Sequence, residues 1–435
     1  AHLATQGQQI IEHANDILAH RFPETTSSAD YTVQLPAGEF SWRTQPGTTS
    51  NEDFLYTLNW QAFWPELAMA SGFTDQPQYG QELIAQLAGW SSQNPPPADP
   101  DDLQGPDAKV WSVLTTSVRT DSWAWSYHLL LEAADWTPQA NTLFLHRMWQ
   151  HGQYLSAVIP DEPLTNQDVL QGRAILETGL LFPEFGQAAQ WEAAGRQLLF
   201  DAVDTQIYDD GGHIEQSPGY AGVALCGFLE SWLLDTLNGN SWSADGQDRR
   251  QHLWDLADYY YQMMEPDGMQ PGISDCGRTT ALVTLTESAL ILDESSWPSN
   301  RVKVRHVWLV GPDAASEALA NPRMAIENRP DAKALPDVGY YVMRSGGDQD
   351  ARQLIVDIGP KGYYHGHFDL LGLDLFGYGK PLIADPGTGA SGSRATDLST
   401  GFHNTICVDG ANHGALEGAG NPGLVVDLWE TDTSE

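Results

Sequence analysis

The sequence predicts a multidomain α+β chain with a helical domain at 1–325 and an antiparallel β-sheet domain at 326–435. Before residue 325, apolar residues recur every three to four positions, as on one face of a helix. After it, runs such as 339–344 and 353–358 are short, rich in β-branched and aromatic residues, and bounded by glycine, which is typical of strands. The pattern therefore changes once along the chain, from helices to strands.

The helical region consists of amphipathic segments separated by polar loops rich in Pro, Asp and Gly. The clearest apolar stripe is formed by Leu225, Phe228, Leu229 and Trp232. Helices are predicted at 8–20, 53–71, 81–89, 111–134, 139–158, 167–181, 187–207, 222–237 and 249–264. Because these helices are similar in length and follow one another closely, we expect helical hairpins arranged in a ring or an arc.

The β region contains a predicted hairpin that begins with two histidines. His365 and His367 are two residues apart, so an extended backbone would place both side chains on the same face. Three leucines then alternate with smaller or polar residues, as in a half-buried strand, namely Leu371, Leu373 and Leu375. Residues 377–380 predict a turn, and a second strand is expected at 381–384, ending at Asp385.

Charge is the strongest deviation in composition. The chain has 21 basic and 58 acidic residues, which gives a formal net charge of −37. Such a surface repels nucleic acids and anionic membranes, so neither is expected as a partner. We interpret the acidity as an adaptation to a salty medium, where screening shortens the range of this repulsion. The 16 tryptophans allow a large core, and tryptophan also stacks on the apolar faces of sugar rings.

The cysteines and the termini exclude several classes of protein. The three cysteines are an odd number without a CxxC pair, so neither a disulfide framework nor a cysteine zinc site is indicated. The sequence contains no uninterrupted apolar stretch of about 18 residues, so it predicts no transmembrane helix. The N-terminus lacks a signal peptide, and Ala1 in place of Met suggests a mature or trimmed chain. Because the strand pattern ends in a polar tail at 430–435, we expect the chain to stop inside its second domain.

Two polar clusters in the helical region could carry chemistry. Thr165, Asn166 and Gln167 stand at the start of a predicted helix, where either Thr165 or Asn166 caps the helix or the polar group has a functional role. The second cluster is the glycine-rich loop around His213, Glu215 and Tyr220, which lies between two strong helices. Such a loop is either functional or a solvated turn with a buried, hydrogen-bonded Glu215.

Two further clusters lie in the β region. The pair His365 and His367 has both a structural and a catalytic interpretation. His403 stands at the start of another strand-like run, 406–409. Together with His367 and Asp385, it supplies two imidazoles and one carboxylate, a set that suits a metal ion.

These stretches together resemble the heparinase II/III-like polysaccharide lyases, a group that includes heparin and heparan sulfate lyases and some alginate lyases. The resemblance begins at about residue 42 and is strongest in three stretches, namely 211–220, 365–367 with 381–387, and 402–410. It implies an (α/α)-toroid followed by an antiparallel β-sheet domain, with the active cleft between them. It also implies β-elimination at a uronic acid.

The resemblance assigns the chemical steps to particular residues. Asn166 matches the amide that hydrogen-bonds the uronate carboxylate and stabilises the enolate-like intermediate. Gln167 follows where the family usually has histidine, so a group that cannot titrate replaces a second donor or base. Tyr220 matches the tyrosine that protonates the leaving glycosidic oxygen and, in a syn elimination, also takes the C5 proton. His365 matches the histidine that acts as the base or assists Tyr220.

The resemblance also implies binding roles. His367, Asp385 and His403 match a structural Zn²⁺ site known in some members, and no organic cofactor is implied. His365 is then expected to face the substrate, while the metal fastens the hairpin to His403. Arg119 resembles a cleft position, where it would bind carboxylate or sulfate, although an ordinary ion pair is the alternative. The remaining predicted substrate contacts are Gln167, His213 and Glu215.

We therefore expect a periplasmic or secreted lyase that acts on an acidic polysaccharide, with a glycosaminoglycan related to heparan sulfate or heparin favoured. An alginate lyase of the same fold is an alternative. A glycoside hydrolase would need two carboxylates, which Asp209, Asp210 or Glu215 could supply. A non-catalytic glycan-binding protein is a further alternative, for which Gln167 is the first indication.

Overall fold

A computed structural model describes residues 2–413 of the protein except 26, 27, 29, 50, 52, 101, 244, 245, 324–328 and 360. The chain forms two compact units, each assembled from separated segments. Unit 1 comprises Ala1–Ala202, Gly227–Gln247 and Lys303–Pro312. Unit 2 comprises Val203–Cys226, Asp248–Val302 and Asp313–Glu435. The last part of the predicted β domain, from residue 414, lies outside the described residues.

Helices dominate the chain as far as residue 320. The helices of the described residues are α1 His2–Leu18, α2 Phe54–Trp60, α3 Trp64–Thr74, α4 Pro77–Gln93, α5 Asp107–Val110, α6 Val113–Leu130, α7 Pro138–Ala157, α8 Asn166–Leu181, α9 Ala188–Gln206, α10 Pro218–Leu237, α11 Arg249–Met263, α12 Leu282–Leu292, α13 Val304–Val310, α14 Pro312–Ala320 and α15 Arg394–Asp397. Among the helices so described, none has both the length and the apolar character needed to span a bilayer.

The predicted helices are present, with two differences. The helix expected at 53–71 is divided into α2 and α3, because Gln61 adopts a left-handed backbone with φ 52° and Pro65 lies in the first turn of α3. The sequence analysis does not predict α12, nor α5, α13, α14 and α15. The buried residues of α12 lie on most sides of this helix, so its apolar residues do not form a stripe on one face.

In unit 1, successive helices alternate between two layers. Helices α1, α3, α6 and α8 pack in this order, each against the next. Helix α4 packs on α1 and α3, α7 packs on α6 and α8, and α4 and α7 also contact each other. A row of helices covered by a second row is the packing of an (α/α)-toroid, in agreement with the predicted fold class.

The core of unit 1 surrounds the fully buried side chain of Arg119. Its guanidinium lies 4.5 Å from the ring centroid of Trp90 and 5.2 Å from that of Trp111. Nη1 donates to the backbone carbonyls of Asn59, at 3.2 Å, and Val110, at 2.8 Å. Burial lowers the pKa of Arg119 to about 9. The structure does not support the predicted substrate contact, because the guanidinium is used inside the core.

The substitution Arg119→Met should lower the free energy of unfolding by about 3 kcal/mol or more, because two buried carbonyls lose their donor at about 1–3 kcal/mol each. Urea denaturation followed by tryptophan fluorescence measures this loss. Arg21→Met is the matched control, since Arg21 is an exposed arginine of the same unit that pairs with Asp16. It should cost under about 1 kcal/mol. Equal losses for both variants would contradict the structural role of Arg119.

The strands of the described residues are short and antiparallel. They are β1 Arg21–Pro23, β2 Tyr31–Gln34, β3 Met269–Gln270, β4 Thr279–Thr280, β5 Ala332–Leu335, β6 Tyr340–Arg344, β7 Gln353–Asp357, β8 Leu373–Gly377 and β9 Lys380–Ile383. Strands β5 to β9 form one sheet in which each strand pairs with the next along the chain. The antiparallel sheet predicted after residue 325 is therefore confirmed.

The hairpin β8–β9 is present, but its buried face differs from the prediction. The buried side chains of β8 include Asp374 and Phe376, whereas Leu373 lies on the exposed face. The alternation is real, but the chain buries the opposite set, because the carboxylate of Asp374 accepts a hydrogen bond from the backbone amide of Asp385 at 3.2 Å. His365 and His367 precede β8 in a turn instead of a strand, and the described backbone at 406–409 also forms turns and irregular structure.

A glycine fixes the loop that follows β9. Gly387 has a left-handed backbone with φ 61°, and a Cβ at this position would lie 1.9 Å from the carbonyl oxygen of Cys276. The amide of Gly387 also donates to Oδ1 of Asp385 at 3.0 Å. The absence of a side chain thus lets the Asp385 loop lie directly against the backbone of Cys276.

Gly387→Ala should lower the free energy of unfolding by about 3 kcal/mol or more, because it combines a left-handed backbone with a steric clash. Gly389→Ala is a matched control: its φ is 79°, but no atom lies within 4 Å of the added Cβ. The control should cost only about 1–2 kcal/mol. Thermal and urea unfolding of both variants measure the difference, and a larger loss for Gly389→Ala would contradict the close backbone contact.

Candidate active site

Tyr220 and His365 form a stacked pair in unit 2. Tyr220 lies in the first turn of α10, directly after the glycine-rich loop that the sequence analysis identified. The two rings are nearly parallel, with centroids 3.5 Å apart and planes inclined by 10°. Burial, reinforced by the carboxylates of Asp275 and Glu215, raises the pKa of Tyr220 to about 12. The phenol is therefore protonated near neutral pH and can act as a proton donor.

His365 faces a carboxylate at each ring nitrogen. Its Nδ1 lies 2.8 Å from Oδ2 of Asp275, and its Nε2 lies 3.6 Å from Oε1 of Glu215. Only the first distance is that of a hydrogen bond. Because a carboxylate only accepts hydrogen bonds, Nδ1 of His365 carries a proton in this contact. Both carboxylates approach the edge of the imidazole, so one of its faces can stack on the ring of Tyr220.

Asp275 joins three side chains of the site. Its carboxylate accepts a hydrogen bond from Nη1 of Arg394 at 2.6 Å, in addition to the one from His365. Its Oδ1 lies 3.8 Å from Nε2 of His367. Burial alone would raise the pKa of Asp275, but the side chains of His365, His367 and Arg394 outweigh it and hold the pKa well below its usual range. Asp275 is therefore a permanent anion at the centre of the cluster.

His213 and Glu215 lie next to this cluster, and both are fully buried. His213 places Nε2 3.0 Å from Oε1 of Gln206, while its Nδ1 accepts a hydrogen bond from the amide of Glu215 at 3.4 Å. Burial, together with His365, lowers the pKa of His213 to about 3, so this imidazole is neutral. Such burial does not support His213 as a substrate contact; it holds the backbone of Glu215, whose carboxylate faces His365.

Asn166 and Gln167 belong to unit 1, where they begin α8. Thr165 caps this helix, and its backbone amide and hydroxyl both donate to Oδ2 of Asp168 at 2.8 Å. Of the two candidate caps, Thr165 and Asn166, Thr165 therefore occupies the capping position. The side chain of Asn166 is buried and that of Gln167 is exposed. Their roles toward a substrate stay predictions.

A second group of unit 2 can hold a metal ion. One ligand atom from each of His367, Asp369 and His403 lies within 4.8 Å of the others, and all three residues are buried. Both ring nitrogens of His367 and Nε2 of His403 have no hydrogen-bond partner among the described residues. Buried polar nitrogens normally have a partner, so these nitrogen atoms fit the role of ligands to a cation. The structure therefore supports a metal site, without identifying the ion.

The position of Asp385 differs from the predicted ligand set. Its two carboxylate oxygens lie 3.1 and 3.0 Å from Nδ1 of His403, so it contacts the imidazole that belongs to the metal group. Burial would lower the pKa of His403, but the carboxylate of Asp385 outweighs it and raises this pKa. A carboxylate behind a ligating histidine orients that ligand. In the described structure Asp369 completes the group, while Asp385 supports it.

The two histidines of the pair contact different groups, although both approach Asp275. His365 stacks on Tyr220, whereas the ring of His367 lies 5.1 Å from that of His403. Sequence reasoning missed Asp275, Arg394 and Asp369. The sequence does contain a signal for Asp369. It lies two residues from His367, which is the same spacing as that between His365 and His367. Asp275 and Arg394 lie in loops without a recognisable motif.

Comparisons with known proteins identify the family of the chain. The family model described as Heparinase II/III N-terminus matches residues 2–296, and the one described as Heparinase II/III-like, C-terminal matches residues 327–435. A heparin-sulfate lyase of Bacteroides stercoris is 22% identical, over 98% of this chain and 63% of the relative. A heparin-sulfate lyase of Pedobacter heparinus is 24% identical, over 86% of this chain and 54% of the relative.

A crystal structure of heparinase III superposes with a TM-score of 0.75 at 21% identity, covering 93% of this chain and 63% of that structure. At this identity the superposition shows a shared fold. The chain spans between 54% and 63% of the length of these relatives. Because the two family models together cover most of the sequence, the chain belongs to the heparinase II/III family.

Proposed function

We propose that this protein is a polysaccharide lyase that cleaves a uronate-containing glycosaminoglycan of the heparan sulfate class by β-elimination. The observation that carries the proposal is the stacked pair of Tyr220 and His365, held by buried carboxylates in a chain of this family. The names of the relatives, heparin-sulfate lyases, favour this substrate class. We further propose that the protein is periplasmic or secreted, because its polysaccharide substrate is found outside the cytoplasm.

β-Elimination requires two proton transfers. The C5–H bond of the uronate breaks, a double bond forms between C4 and C5, and the C4–O bond breaks as the leaving oxygen is protonated. Tyr220 is suited to the last step, since its phenol keeps its proton at neutral pH. Nδ1 of His365 is hydrogen-bonded to Asp275, so Nε2 is the ring nitrogen that can accept the C5 proton.

The negative charge that develops beside the uronate carboxylate needs a partner. Asn166 is proposed for this role from the family resemblance, since a neutral amide can donate to a carboxylate. Gln167, exposed at the start of α8, is proposed as a second donor. Neither amide can act as a base, which leaves the proton transfers to Tyr220 and His365.

We infer that the metal group binds Zn²⁺ through His367, Asp369 and His403. Two imidazoles and a carboxylate suit this ion, and Asp385 orients His403 as an outer carboxylate does in zinc sites. A bound ion would supply a cross-link between the segment before β8, which carries His367 and Asp369, and the segment after α15, which carries His403. Its role in this proposal is structural.

Tyr220→Phe should reduce elimination at least about 100-fold with little loss of stability, because it removes only the acidic proton. Ultraviolet absorbance of the new double bond measures turnover on heparan sulfate, heparin, hyaluronan and alginate. Tyr378→Phe, which changes an exposed tyrosine in the turn between β8 and β9, should retain wild-type activity.

Other outcomes of the substrate panel would contradict the proposal in distinct ways. New reducing ends without ultraviolet absorbance would indicate a hydrolase. Binding without either product would indicate a glycan-binding protein. Turnover of alginate alone would retain the lyase mechanism but overturn the substrate class. Near-full activity of Tyr220→Phe would overturn the assignment of the acid.

The zinc proposal is tested by metal content and thermal stability. The wild-type protein should contain about one equivalent of zinc, and His403→Ala should lose it. Loss of an ion bound only by the folded state should lower the Tm by about 5 °C or more. His146→Ala, which removes an exposed histidine of unit 1, should change neither quantity. A metal-free wild-type protein with an unchanged Tm after addition of zinc would contradict the site.

A further inference from the structure

Asp275 lies in the loop between β3 and β4, and its backbone is fixed on both sides. The two strands pair in antiparallel register and close the loop at its base. The preceding residue, Ser274, has a left-handed backbone with φ 60°. The amide of Asp275 donates to the backbone carbonyl of His365 at 2.9 Å. The carboxylate of Asp275 therefore stands at a set distance from the turn that carries His365.

The carboxylate is buried, with only 5% of the side chain exposed. Burial of a carboxylate is costly unless charged or strong donors compensate it. Here Oδ2 accepts hydrogen bonds from Nδ1 of His365 and from Nη1 of Arg394, while Oδ1 lies 3.8 Å from Nε2 of His367. The donors His365 and Arg394 come from separate parts of the chain. The burial of the Asp275 carboxylate is explained by the side chains of His365 and Arg394, which it holds in place.

We propose that Asp275 is a positioning residue, which fixes the orientation and tautomer of His365 against Tyr220 and is itself held by Arg394. The inference deepens the proposed lyase function and rests on it for its kinetic test. Asp275 acts through His365, and neither the family matches nor the sequence motifs point to it.

The geometry explains why this positioning matters. An imidazole with Nδ1–H bound to a fixed acceptor cannot rotate about its Cβ–Cγ bond without losing that hydrogen bond. The contact at the ring edge therefore keeps the ring parallel to Tyr220 at a centroid separation of 3.5 Å. Without Asp275, the nearest carboxylate is that of Glu215, on the Nε2 side. The ring would then be drawn to the opposite tautomer, in which Nε2 carries the proton.

The test uses the whole chain with Asp275→Ala and Asp275→Asn. We expect kcat on heparan sulfate to fall about 10- to 100-fold in Asp275→Ala, with KM changed by less than about threefold, because orientation and not substrate affinity is lost. Asp275→Asn should fall less, since its amide oxygen can still accept from Nδ1. Added formate should restore part of the kcat of Asp275→Ala by filling the space of the missing carboxylate, whereas chloride at equal ionic strength should not.

A second readout does not depend on turnover. Long-range ¹H–¹⁵N spectra of histidine-labelled protein report which ring nitrogen carries the proton, and His365→Gln identifies the signal of His365. The wild type should show the Nδ1–H form, and Asp275→Ala should shift toward Nε2–H. If no substrate is cleaved by the wild type, the lyase proposal fails while this measurement still tests the positioning role.

Two results would overturn the inference. An unchanged tautomer in Asp275→Ala would show that other groups orient His365. A loss of kcat that formate does not restore, together with a lowered Tm, would assign Asp275 a structural role only. Arg394→Gln should reduce kcat about threefold to tenfold, because Asp275 keeps its contact with His365. Arg352→Gln, which removes an exposed arginine, is the control and should leave kcat unchanged.

Discussion

The carboxylate of Asp275 is the interaction on which the arrangement of unit 2 depends. It meets His365 and Arg394, which follow it in the chain by 90 and 119 residues. The sheet of β5 to β9, its turns and the short helix α15 bring these partners back to the loop between β3 and β4. A buried anion is tolerated in this place because donors compensate it, and one of these donors, His365, is a group that the proposed chemistry uses. Stability of the loop and orientation of the imidazole therefore have one cause.

Arg119 and Arg394 show that the surroundings of an arginine, and not the residue type, decide its role in the protein. Arg119 is enclosed by tryptophan rings and backbone carbonyls, so its charge serves the packing of unit 1. Arg394 also makes a close polar contact, but with an anion, and about half of its side chain remains exposed. Both carry the fork of donors that suits carboxylates. Only the fold determines which of them is accessible to an acidic polymer.

The sequence predicts the helices well because their apolar stripes are determined locally. It also predicts the β8–β9 hairpin, since the turn at Tyr378 and Gly379 needs left-handed backbone at two consecutive residues. The buried face of β8 could not be predicted, because the leucines looked like the core face and the burial of Asp374 accompanies a contact with the backbone of the loop after β9. Tyr220 and His365 were accessible from motifs. Asp275 was not, since its importance arises from long-range contacts that no local pattern records.

The contact between Gly387 and Cys276 joins two backbones, with no side chain between them. Its consequence is an asymmetry in what the two positions tolerate over evolutionary time. Many residues at position 276 would present the same carbonyl oxygen, so this contact does not restrict the identity of that side chain. Any residue larger than glycine at position 387 meets the oxygen directly. The close approach of the loop of Asp275 to the loop of Asp385 therefore requires that position 387 carry no side chain.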